Sequence, residues 1–99
     1  MSVVIVGGNE RMARQYTDLC EGYKCRTKVY TKWDEGMKGM GSPDLLILFT
    51  NTVSHKMVRF ALNNTGSDTV IARCHSSSIT ALKGILKEHI GETPCQKNW

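Results

Sequence analysis

Imidazole, thiol, hydroxyl and cationic side chains crowd into two short stretches of this chain, "SHK" at 54–56 and "RCHSSS" at 73–78. Imidazole and thiolate are the metal and haem ligands of proteins. Ser54, Ser76, Ser77 and Ser78 stand where helices are expected to open, and Lys56 and Arg73 add positive charge beside them. One serine is enough to cap a helix. Three in succession beside a guanidinium, a thiol and an imidazole resemble the wall of an anion site, where helix N–H groups and cations meet phosphate or carboxylate oxygens. For any single serine, capping alone is the plainer reading.

The ligand chemistry can be narrowed from spacing. Cys74 and His75 are adjacent at a strand end, so their side chains leave on opposite faces and cannot easily chelate one ion together. Cys20 and Cys25 fall at the other end of the expected sheet, and no four-ligand zinc site assembles. A single axial imidazole suits haem better than a bare ion. His75 is the preferred ligand and His55 the near-equal alternative, with Lys56, Arg73 and the serines toward the propionates. Trp33, Met37, Met40, Phe49 and Met57 are expected as the apolar contacts. Against this stands the ordinary case of a solvated histidine at a helix start.

An enzyme is the less favoured reading. His55 can reach Cys74 from the neighbouring turn, but no "GxSxG" exists and the carboxylates near this edge are Glu10, Asp34 and Glu35 alone. "VGGNERM" is not the dinucleotide glycine pattern, and no Walker lysine motif occurs. The same helix ends nevertheless suit a phosphate-bearing ligand, a nucleotide or an RNA end, and this is the alternative to haem. A third reading is an interaction domain with no small ligand or cofactor.

The elements that must position these residues follow from pattern. Val3 to Val6 make a short strand ending in Gly7-Gly8, and Asn9 caps a helix through "ERMARQYTDLCEG", with Met12, Tyr16, Leu19 and Cys20 inward and Gly22 as its stop. "CRTKVYT" alternates as a second strand. Residues 32–43 carry three glycines yet place Trp33, Met37 and Met40 at helical spacing, a short or distorted crossover helix. "DLLILFT" is a continuous apolar strand with both faces covered. Ser54 caps the next helix, with Met57, Phe60 and Ala61 inward and Gly66 ending it. "DTVIARC" is the fourth strand. The last helix places Ile79, Leu82, Ile85, Leu86 and Ile90 on one stripe.

Alternation of this kind predicts an α/β three-layer sandwich on a four-stranded parallel sheet, order 2-1-3-4, Rossmann-like. Ligands of such sheets bind outside the carboxyl ends of the strands, at the switch point. There lie "GGNER", "YTKWDE", "TNTVSHK" and "RCHSSS", whereas the opposite edge carries ordinary turns. The cofactor-binding candidates are therefore Asn9, Ser54, Lys56, Arg73, Cys74, Ser76, Ser77 and Ser78, with His75 and His55 as iron ligands.

The 99 residues fit one domain, expected over 1–91, with 92–99 as a loose tail. Net charge is +4 and favours anionic partners, yet the cations are scattered and do not indicate nucleic acid. No apolar run approaches the roughly 20 residues of a membrane span, and no signal peptide is recognisable. Four cysteines then read as reduced thiols in the cytoplasm. Exposed sheet edges and a small core predict a homodimer.

"VVIVGGNERMARQYTDLCEGYKC", "GSPDLLILFTNTVSHKM" and "RCHSSSITAL" together resemble the bacterial family called domain of unknown function 2325, over residues 3 to about 90. The resemblance implies a small Rossmann-like cytosolic domain with a link to haem binding. It carries His55 of "SHKM" and His75 of "RCHSSS" forward as ligand candidates.

Overall fold

A run that is apolar on both sides can be a strand only where both faces are covered. Ser2–Gly7 (β1) and Leu45–Phe49 (β3) are such runs, and all five residues of β3 are buried. The computed structural model describes residues 2–32, 43–51, 53–66 and 68–90. After β1 come a 3-10 turn at Glu10–Met12 and α1 at Ala13–Gly22; β2 is Arg26–Tyr30, α2 is His55–Asn64, β4 is Val70–Cys74 and α3 is Ile79–Ile90.

The four strands form one parallel sheet in the order β2-β1-β3-β4. Ile5 lies beside Val29 and Ile47, and Ile47 beside Ala72. α1 and α3 cover one face, where Val3, Ile5, Leu45, Ile47, Phe49 and Ala72 meet Tyr16, Cys20, Leu82 and Leu86. α2 covers the other, packing Met57 and Ala61 on Val4, Val6, Leu46 and Leu48. α1 and α2 lie on opposite faces because their crossovers run in opposite directions along the sheet and keep one hand. The fold is the expected three-layer α/β sandwich. Each fully buried aliphatic side chain adds about 1.5–3 kcal/mol. No helix among the described residues is long and apolar enough to cross a membrane.

Local details depart from the pattern. The first helix does not run unbroken from Asn9: the 3-10 turn precedes α1, and Asn9 Oδ1 accepts from the N–H of Arg11 at 2.9 Å. Nor does Gly22 supply the left-handed residue that ends α1. Lys24 does, with φ 61°. Cys25 N–H donates to the Cys20 carbonyl at 3.1 Å and Lys24 N–H to that of Glu21 at 2.8 Å, a Schellman closure. The stop lies two residues late because Cys25 then folds back into the core cluster that holds Cys20. The expected crossover helix with Trp33, Met37 and Met40, the side chain of Ile90 and the tail 92–99 lie outside the described residues.

Candidate functional site

The carboxyl ends of β1, β3 and β4 are aligned by register, Gly7 beside Phe49 and Phe49 beside Cys74. The β3–β4 ladder continues one step further, with the Thr50 N–H donating to the Cys74 carbonyl at 2.9 Å. Three loops therefore open along one edge, as the sequence predicts. They do not all open to the same side. The β4–α3 loop leads to the face of α1 and α3, and the β3–α2 loop to the face of α2.

Above β1 and β3, on the α1 side, the switch point is filled by protein. Gly7 and Gly8 have φ of 97° and 93°, a backbone that glycine adopts without strain. A Cβ on Gly8 would lie 2.8 Å from Tyr16 Cε2, so the turn admits no side chain there. The Tyr16 ring packs on Phe49, centroids 5.4 Å apart. Its hydroxyl accepts from the Asn9 N–H at 3.1 Å and donates to the Ser77 carbonyl at 2.6 Å. Tyr16 thus ties the loop after β1 to the loop after β4. From sequence Tyr16 is simply one of the inward residues of the first helix; the missed signal is its hydroxyl, which must find partners when the ring is buried.

Each serine has an internal role. Ser54 Oγ accepts from the Met57 N–H at 3.2 Å and caps α2. Ser78 Oγ accepts from the Ala81 N–H at 3.1 Å and caps α3. Ser76 Oγ lies 3.2 Å from Ser78 Oγ and accepts weakly from the Ser78 N–H at 3.4 Å. Ser77 contributes its carbonyl to Tyr16. The Cys74 thiol is half-buried and donates to the Ser76 carbonyl at 3.1 Å.

The nitrogen-bearing groups are different. His55, Lys56, Arg73 and His75 are all exposed, and none has a hydrogen-bond or ion-pair partner among the described residues. His55 is the first residue of α2, and Lys56 the second. His75 lies one residue beyond the end of β4, in the loop rather than on the strand, so it lacks the rigidity expected of a strand-end ligand. The two imidazoles share an edge, but their elements lead to opposite faces. Arg73 and Lys56 belong to the α2 side, since Arg73 pairs in register with Leu48 of that face. Glu10 is taken up by Lys32, at 3.6 Å.

Phe49 and Met57 are buried in the core, 0% and 7% exposed, and do not line an external ligand as expected. Among the described residues no group of three or more His, Cys, Asp or Glu side chains is placed to hold a metal ion. Cys20 and Cys25 lie far from the loops, at the amino edge and α1 terminus. Burial pushes the Cys20 thiol up to about 11 and raises that of Cys25. Both are protonated core thiols at neutral pH.

No curated protein and no solved structure matches the chain. The family model described as "Uncharacterized protein conserved in bacteria (DUF2325)" matches residues 2–89, nearly the whole of this fold with His55 and His75 inside it, and the chain belongs to that family.

Proposed function

We propose that this domain is a haem-binding module, a sensor, carrier or redox partner rather than an enzyme, with an edge imidazole as axial ligand. The observation that carries the reading is the state of His55 and His75. Both are exposed and unpartnered among the described residues, at the edge where Lys56 and Arg73 are also unpartnered. A ligand histidine must offer one free ring nitrogen, and its other N–H is then ordinarily held by a hydrogen bond to protein or water. The donor set therefore suits the group: an imidazole for the iron, two cations for the propionates. Haem, when bound, would supply the redox or gas-binding chemistry. His75 and His55 both stand as candidates, and Lys56 and Arg73 lie on the side of the sheet to which the helix of His55 belongs.

A titration of haemin into the reduced protein, followed in the Soret region, tests this. A saturable one-to-one band that shifts in His75→Ala or His55→Ala is the expected result. A broad, unsaturating absorbance, or a band indifferent to both substitutions, rules the reading out.

A specific observation also favours the phosphate reading. α2 and α3 are ten and twelve residues long, both begin at this edge, Lys56 sits in the first turn of α2, and exposed Arg73 stands on the same face near the end of β4. Such ends favour anions. Thermal shifts with nucleotides and inorganic phosphate, without haemin, discriminate between the two readings, since stabilisation follows the ratio of ligand concentration to Kd.

A further inference from the structure

The two edges of the sheet are built differently. β2 carries exposed Arg26 and Lys28, the charges that keep an edge strand from pairing with another chain. β4 has no such protection in its first half. Val70 and Ile71 are 48% and 40% exposed and are the exposed large hydrophobic residues of the described structure. Thr69 to Ala72 contain no charge.

The backbone of β4 is equally open. Val70 N–H donates to the Asp44 carbonyl at 3.1 Å, and the Cys74 carbonyl accepts from Thr50 N–H at 2.9 Å. Alternate residues of a parallel strand turn to the same neighbour, so Val70, Ala72 and Cys74 bond toward β3. Ile71 and Arg73 therefore turn their N–H and carbonyl groups to the free edge. The N–H of Thr69 is already taken by the Gly66 carbonyl, at 3.2 Å.

We propose that this edge pairs antiparallel with β4 of a second copy of the chain, the two-fold axis passing by Ile71. In an antiparallel pair two facing residues exchange both hydrogen bonds, and Ile71 against Ile71 does so on the axis. The next bonded pair sets Arg73 N–H against the Thr69 carbonyl, which has no partner among the described residues. Val70 then lies opposite Ala72, so apolar residues meet apolar ones. The two Arg73 guanidinium groups are not placed opposite each other, so the edge is complementary to itself in hydrogen bonds, apolar contacts and charge, and a second copy is the occupant it fits. The result is one eight-stranded sheet with the charged β2 strands at its outer edges. This proposal does not rest on the haem reading, because its test uses the apo protein and reads mass rather than absorbance.

Sedimentation velocity of the reduced apo protein between about 1 and 100 µM tests it, a range suited to a small interface. A mass that doubles with concentration is expected. Ile71→Lys should remain monomeric throughout, with a helix signal in circular dichroism equal to that of the parent, and Lys28→Thr on the other edge should leave the dimer intact. With Cys74→Ser and Cys95→Ser in place, Ile71→Cys should give a covalent dimer on mild oxidation. A monomer at the highest concentration, a dimer that survives Ile71→Lys, or a dimer that will not cross-link at position 71 overturns the proposal.

Discussion

The Tyr16 hydroxyl lies 2.6 Å from the carbonyl of Ser77, 61 residues away in the chain, and joins the first loop of the carboxyl edge to the last. Because the same oxygen accepts from Asn9 N–H, one phenol satisfies a backbone donor and a backbone acceptor. Tyr16→Phe keeps the ring on Phe49 and removes only the bonds. A cost of about 1–2 kcal/mol is expected, since two partly buried backbone groups lose their partner. Urea unfolding should show a lower midpoint at unchanged slope; an unchanged midpoint would mean that water replaces the phenol without cost.

Gly8 and Gly84 make an opposed pair of tests. At Gly8 a methyl group meets Tyr16 at 2.8 Å on a backbone of φ 93°. Gly8→Ala should lose about 2 kcal/mol or more, through strain and displacement of Tyr16. Gly84 lies within α3 with nothing within 4 Å of its would-be Cβ. Gly84→Ala should gain about 0.5–1 kcal/mol from helix propensity. Thermal melts of the two variants should move in opposite directions.

The serine caps separate structural from ligand roles. Ser54→Ala and Ser78→Ala should each cost about 1 kcal/mol in chemical denaturation. If those hydroxyls only cap, haemin or phosphate affinity will be unchanged by either substitution under conditions where the protein stays folded. Loss of affinity at equal foldedness would assign the hydroxyl a contact with the ligand.

The thiols predict an alkaline limit to stability. Cys20 has a folded value raised from 9.0 to about 11 by burial, so the folded state holds its proton where the unfolded chain has lost it. Stability from this source is complete below pH 9 and falls as pH rises toward 11. Cys20→Ala should flatten the pH dependence of the melting temperature across that window. Equal slopes in parent and variant would show that another group controls it.

Much of the architecture is legible before any coordinates. "VVIV" and "DLLILF" have no polar face, so they must be central strands, and alternation with amphipathic helices leaves a doubly wound parallel sheet as the simplest arrangement. That order places Asn9, Ser54, Arg73 and His75 along one edge, because in a parallel sheet every strand-to-helix loop exits at the same end. Helix caps are local as well: Ser54 and Ser78 bond to N–H groups three residues on.

What required the tertiary structure is everything that depends on distance across the fold. That the switch point is filled on one side follows from Tyr16, Gly8 and Phe49 meeting, and no spacing in the chain encodes that contact. Phe49 and Met57 look equally fit to line a ligand or a core until packing assigns them to the core. The glycine at the end of α1 is a local signal overruled by a stronger demand, the return of Cys25 to the cluster around Cys20. Exposure at Val70 and Ile71 is decided by which strands end up at the edge of the sheet. Residue type and periodicity determine the elements and the edge on which the polar residues gather, because those are properties of neighbouring residues. Which groups are free for a ligand or a second chain depends on the partners that folding has already assigned.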